Sequence, residues 1–226
     1  MSRSTPLIAG IFGSLAVSVF AMVLVPQAQI GGLQAQVDRD KDEPAKILDV
    51  YPTDRVKYGA KVYASEGCIV CHSQQVRDTQ NGEDQPRGWG ERRTVARDYI
   101  YDSIAFLGSS RLGPDLANVG AKTWRNEAEN DTHKPKKRDA AWHYLHLYKP
   151  RAIIAESNMP PYPYLFEKRK ISGQRSSDAL PANQVPVEDG YEIVPKTEAR
   201  ELVSYLLSLD RSHPLNEVKS AAPAAK

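Results

Sequence analysis

The sequence contains two cysteines, and both lie in one short motif as Cys68 and Cys71. A single pair excludes the disulfide-rich scaffold of small secreted proteins, which needs several bridges. It also argues against a structural zinc site, which takes about four ligands and here has no second cysteine pair. The chain also has little net charge: 30 basic and 28 acidic residues leave +2. No nucleic-acid partner is therefore indicated.

Residues 7–25 contain no charged side chain. A helix of this length spans roughly 28 Å, close to the hydrocarbon thickness of a bilayer. Arg3 precedes the segment and the acid-rich stretch 38–43 follows it, so the positive-inside bias predicts a cytoplasmic N-terminus. A cleaved signal peptide is the alternative, but its apolar region is usually shorter, and VPQAQ offers no small-x-small cleavage site. We predict a retained single-pass anchor over residues 1–27, with bilayer contact through residues 7–25.

The chain beyond the anchor divides by composition. Prolines, glycines and mixed charges indicate a linker over residues 28–54. One domain is predicted over residues 55–212, with long loops that include residues 125–139 and 168–196. The alanine-rich tail over residues 213–226 is predicted to be disordered.

Helical spacing of apolar residues recurs within this domain. It predicts a short helix over residues 55–67, another that Pro150 ends, and an amphipathic helix over residues 197–211. Thr197 is the predicted N-cap of the last helix. No segment shows the apolar–polar alternation of a half-buried strand. The predicted fold class is therefore mainly α.

The stretch SEGCIVCHSQ, residues 65–74, contains Cys-x-x-Cys-His, the attachment signature of c-type haem. Two cysteines at this spacing on a tight turn reach the two vinyl groups of one porphyrin, and the adjacent His72 lies beneath the iron. A thioredoxin-like dithiol would need a βαβ pattern, which the sequence lacks. We predict one covalently bound haem c, attached through Cys68 and Cys71 and ligated by His72.

Methionine, which commonly ligates the haem iron together with such a histidine, is also scarce. Of the three methionines, Met1 is the initiator and Met22 lies in the anchor, which leaves Met159 as the predicted second axial ligand. Prolines in SNMPPYP hold its loop extended. His143 and His146 are rival ligands, although packing in the core is a more ordinary role for either. With both axial positions filled, the iron would transfer electrons without binding a substrate.

The stretch RLGPDL places Gly113 and Pro114 in a turn. A metal-bound histidine usually donates its other ring nitrogen to a fixed acceptor. Proline offers a carbonyl without a competing N–H. Pro114 is therefore a candidate acceptor for His72, with a plain turn as the equal alternative.

Several longer blocks follow the apolar segment in a fixed order: EGCIVCHSQ, YIYD, RLGPDLANVG, WHYLHLYKPR and ESNMPPYPYL. Together they resemble the mono-haem subunit II (FixO or CcoO) of cbb3-type cytochrome c oxidases, over residues 58–165 and the anchor. The resemblance implies a class I-like cytochrome c domain. In such a domain the helix near Gly59 and Tyr63 crosses the C-terminal helix near Tyr205.

The same resemblance carries haem attachment onto Cys68 and Cys71 and axial ligation onto His72 and Met159. It also favours the turn at Gly113 and Pro114 as the support of the histidine.

The resemblance further implies a non-catalytic subunit in the bacterial inner (cytoplasmic) membrane with a periplasmic haem domain. This subunit would relay electrons to a membrane-embedded catalytic subunit that holds b-type haems and copper. The donor would be a di-haem cytochrome c subunit or a soluble protein. The alternatives are the small cytochrome c subunit of a nitric oxide reductase and a free-standing, membrane-tethered electron shuttle.

Overall fold

The computed structural model describes residues 4–34, 37–38, 46–47, 53–121, 138–215 and 217–218. The predicted loop over residues 125–139 lies outside the described residues, apart from its last two positions. The last eight residues of the predicted tail also lie outside them.

A continuous apolar helix, Ser4–Ile30, begins the described chain and is long and apolar enough to cross a membrane. It is α-helical over Ser4–Val19, π-helical over Phe20–Leu24 and α-helical again over Val25–Ile30. The π-helical segment precedes Pro26, which has no N–H to donate to the carbonyl four residues earlier. The helix continues a few residues past the predicted anchor boundary at residue 27.

The domain begins with the helix Asp54–Ser65, which we call the entry helix. The Thr53 hydroxyl caps it by accepting the N–H of Val56 at 3.4 Å. Gly67, with φ of +71°, turns the chain out of it in a conformation that side chains disfavour. This element agrees with the predicted helix over residues 55–67.

Two further helices follow in the domain. The Trp142 helix, Ala140–Tyr148, starts at Asp139, whose carboxylate accepts the N–H of Trp142, and it ends before Pro150. The C-terminal helix is Thr197–Ser208. Its N-cap is Lys196 and no side chain caps it, so the prediction of Thr197 as the N-cap is wrong.

The segment predicted as loop over residues 168–196 contains most of a strand pair. Phe166–Lys170 pairs antiparallel with Tyr191–Pro195. The first strand buries only its first residue and the second buries all but its first, so neither shows period-two alternation. Two-residue strands Val37–Asp38 and Lys46–Ile47 also pair within the predicted linker.

The entry helix crosses the C-terminal helix at Gly59. A Cβ atom on Gly59 would lie 1.9 Å from the carbonyl oxygen of Glu201 and 2.7 Å from Cβ of Tyr205. Only glycine allows the two backbones to approach this closely. The structure thus contains the crossing near Gly59 and Tyr205 that the resemblance implied. Core side chains come from the helices and the hairpin: Val62, Tyr63, Leu145, Phe166, Leu202 and Tyr205.

Buried polar contacts hold the long segment that follows the cysteine motif. Arg92 and Asp98, which are 2% and 1% exposed, form an ion pair at 2.7 Å. Nε of Arg92 also donates to the carbonyl of His213 at 2.8 Å, and Leu215 is buried. His213 and Leu215 therefore pack onto the domain, although the sequence placed them in a disordered tail.

Candidate functional site

Both cysteines lie on a single helical turn, Cys68–Cys71, which starts directly after Gly67. Both thiols are free and half-buried. Burial, with a smaller contribution from the nearby charge of Glu66, raises the pKa of Cys68 to about 12. A thiol with so high a pKa stays protonated at neutral pH, whereas redox-active dithiols depend on a lowered pKa. The environment therefore disfavours dithiol chemistry.

His72 follows this turn, and its ring is held from one side. Nδ1 lies 2.8 Å from the carbonyl oxygen of Pro114. A carbonyl only accepts, so Nδ1 carries the proton and Nε2 keeps its lone pair for a metal. Burial lowers the pKa of His72 and outweighs the opposing effects of Pro114 and Asp115. The imidazole is thus neutral, which is the form that ligates metals.

Gly113 makes room for this imidazole. A Cβ atom at Gly113 would lie 2.3 Å from Cε1 of His72 and 2.7 Å from its Nδ1. The Gly113 N–H donates to the carbonyl of Cys71 at 3.0 Å, which joins the turn to the cysteine helix. Gly113 and Pro114 therefore form one wall of the histidine pocket.

Asp115 ties the two sides of this pocket together, and the sequence analysis did not find it. One carboxylate oxygen accepts the Ser73 hydroxyl at 2.6 Å and the Gln75 N–H at 2.7 Å. The other accepts the N–H of Ala117 at 2.9 Å. Desolvation raises the pKa of Asp115 despite these bonds. Asp115 directly follows Pro114, and an aspartate in a turn commonly accepts the N–H two residues on. This local pattern could have indicated the role of Asp115.

Three aromatic rings pack behind the cysteine turn. The ring centroid of Tyr63 lies 5.4 Å from that of Phe106 and 5.6 Å from that of Tyr205. The Tyr63 hydroxyl donates to the carbonyl of His72 at 3.1 Å. The crossing of the entry and C-terminal helices therefore fixes the backbone of the histidine as well as the core.

The Trp142 helix brings a second histidine towards this site. The His146 ring stacks on Trp142, with centroids 4.7 Å apart and an interplanar angle of 15°. Burial, with smaller contributions from His72 and Arg138, lowers the pKa of His146 to about 4. His146 therefore lies close enough to His72 to be affected by it. His143, on the same helix, is buried, with 4% of its surface exposed.

Met159 lies in the loop that follows the Trp142 helix. Its side chain is half-buried and packs, like Cys68, against the apolar core. The Met159 N–H donates to Oγ of Ser157 at 3.2 Å, and the Tyr162 N–H donates to the carbonyl of Leu147 at 2.8 Å. The second bond holds the loop against the Trp142 helix. Met22, in contrast, is 78% exposed in the apolar helix.

The available donors fit a covalently attached haem. Two free thiols on one turn, an imidazole with Nε2 available and a thioether on the same core are the groups that such a haem requires. Within the described residues no group of three or more His, Cys, Asp or Glu side chains is placed to hold a metal ion. A zinc site built from those side chains is therefore not present in that part of the chain.

The structure is a mostly helical domain with side chains that fit a haem, and it follows an apolar, membrane-length helix. A family model described as "Cytochrome C oxidase, mono-heme subunit/FixO" matches residues 14–204. The chain therefore belongs to the family of mono-haem subunits of cytochrome c oxidase, which implies one haem and a place in an oxidase complex. A comparison with curated proteins finds no match.

Proposed function

We propose that the chain is the membrane-anchored cytochrome c subunit of a cbb3-type haem-copper oxygen reductase and relays electrons to its catalytic subunit. The family match over residues 14–204 supports the complex. The observation that carries the electron-transfer role is the 2.8 Å contact between His72 Nδ1 and the Pro114 carbonyl. It leaves Nε2 oriented and unprotonated, as an iron ligand must be.

In this proposal each residue of the site has a separate task. Cys68 and Cys71 would attach a haem covalently, and His72 Nε2 and Met159 Sδ would ligate its iron. A bound haem would supply reversible one-electron exchange. With two protein ligands on the iron, the site would transfer electrons without binding oxygen.

We further propose that the domain is of the class I cytochrome c type and lies in the periplasm. The crossing of the two helices at Gly59 supports the first point. Arg3 before the apolar helix and the acid-rich stretch 38–43 after it support the second. The partners are then a catalytic subunit with b-type haems and copper, and a di-haem cytochrome c subunit or a soluble donor.

Purification of the tagged full-length chain from native membranes in mild detergent tests this function. Haem spectra should show b-type as well as c-type haem, and the sample should show cyanide-sensitive oxygen uptake. A chain with Cys68→Ser and Cys71→Ser is the matched control and should carry no covalent haem. Reduction of nitric oxide in place of oxygen would indicate a nitric oxide reductase subunit. A c-type chain that elutes alone would indicate a tethered shuttle.

A further inference from the structure

Two buried nitrogen atoms beside the site have no hydrogen-bond partner among the described residues: Nε1 of Trp142 and Nδ1 of His146. The two residues are one helical turn apart, and their stacked rings hold each other in place. Buried polar groups in native proteins are almost always hydrogen-bonded, because desolvation without a partner is costly. Two such atoms on adjacent stacked rings, beside a site whose side chains fit a haem, point to a partner outside the described residues.

The chemistry of the two groups restricts that partner. The indole N–H of Trp142 only donates, so the missing group is an acceptor. A positive charge lies beside the pair, because the Arg138 guanidinium lies 5.1 Å from the centre of the Trp142 ring. An anionic acceptor with two oxygen atoms suits such surroundings, and a carboxylate has both properties.

We propose that Trp142 and His146 donate hydrogen bonds to a propionate carboxylate of the haem. The inference rests on the proposed function, because it needs a haem held at His72. The two residues act as positioning residues: they orient the porphyrin edge and reduce the effect of the propionate charge on the iron. Since a negative charge near the iron favours its oxidised state, these bonds raise the reduction potential.

The test uses the purified, haem-loaded full-length chain with Trp142→Phe, His146→Leu and His146→Gln. Resonance Raman spectra report the propionate bending mode, which responds to hydrogen bonding of the carboxylate, and redox titration reports the potential. Trp142→Phe and His146→Leu should each shift the mode and favour oxidised haem by up to about tenfold, which is 59 mV for a one-electron couple. His146→Gln keeps an N–H donor and should restore both values towards wild type.

Tyr148→Phe is the matched control, because Tyr148 is on the same helix but packs edge-on against Phe166 at 5.2 Å. It should leave the propionate mode and the potential unchanged. A wild-type propionate mode and a wild-type potential in both Trp142→Phe and His146→Leu would overturn the inference. So would a change of the axial-ligand spectrum in the His146 variants, which would make His146 an iron ligand. A wild-type chain without haem would instead refute the proposed function.

Discussion

His72 and Pro114 are 42 positions apart in the chain, yet the histidine Nδ1 lies 2.8 Å from the proline carbonyl oxygen. The contact closes the long loop that follows the cysteine turn. Asp115 reinforces the closure by accepting the Ser73 hydroxyl at 2.6 Å. The orientation of the imidazole thus depends on how residues 110–115 are held as much as on the motif itself.

Replacement of Gly113 by Ala should displace this imidazole. The new Cβ would lie 2.3 Å from Cε1 of His72, and the ring cannot retreat without losing its bond to Pro114. We expect a loss of about 1–3 kcal/mol of stability, typical of overpacking, and a reduced yield of covalent haem. Haem staining of the denatured chain measures the yield. Gly32→Ala is the control, because a Cβ there would meet nothing within 4 Å, and an equal yield from both variants would refute the role of Gly113.

Replacement of Met159 by Leu should leave the haem attached but lower its reduction potential. A thioether ligand favours the reduced state, and leucine fills a similar volume without a ligand atom. Redox titration and the methionine–iron charge-transfer absorption of the oxidised chain provide the measurements. Met22→Leu, in the apolar helix, should change neither. An unaltered potential in Met159→Leu would exclude Met159 as the axial ligand.

Replacement of Gly59 by Ala should separate the crossing helices. Its Cβ would lie 1.9 Å from the Glu201 carbonyl oxygen, a backbone atom that cannot move alone. We expect a loss of at least about 1–3 kcal/mol in the free energy of unfolding, measured by urea denaturation of the haem-loaded chain. Lys61→Ala, on the exposed side of the same helix, should change it by less than about 0.5 kcal/mol. Equal effects would mean that the crossing tolerates a side chain.

Asp84 should make the domain sensitive to acid. Burial acts to raise the pKa of this fully buried carboxyl, but the bonds from Arg77 and Arg111 outweigh it and the net shift is downward. A lowered pKa in the folded state means that stability is present above the unfolded pKa of about 3.9 and is lost as the pH falls through the folded value. Urea denaturation at a series of pH values between 7 and 3 should show this decline.

Asp84→Asn removes that contribution and serves as the comparison. It should lower stability at neutral pH by roughly 1–3 kcal/mol, because charge-assisted bonds from the two arginines are lost, and it should flatten part of the acid dependence. Parallel curves for the two proteins would show that the acid dependence arises elsewhere.

The element predictions succeeded where the signal was local and periodic. The entry helix was predicted from apolar residues at helical spacing, and the structure contains it over Asp54–Ser65 with a Thr53 cap that the sequence analysis did not name. The hairpin was missed because its second strand buries Ile193 and Val194 in succession, so tertiary packing removed the alternation. Leu215 was assigned to a tail because nothing in its neighbourhood shows that the distant loop around Arg92 covers the C-terminal end.

The sequence by itself determined the chemistry of the site. Cys68, Cys71 and His72 lie within five consecutive residues, and one helical turn sets their spacing wherever that turn lies. The tertiary structure alone decided what surrounds them: the Pro114 carbonyl at Nδ1 of His72 and the ring of Tyr205 against that of Tyr63. These contacts join segments far apart in the chain. Local spacing cannot show them, because they depend on how the helices cross and on which buried donors then face each other.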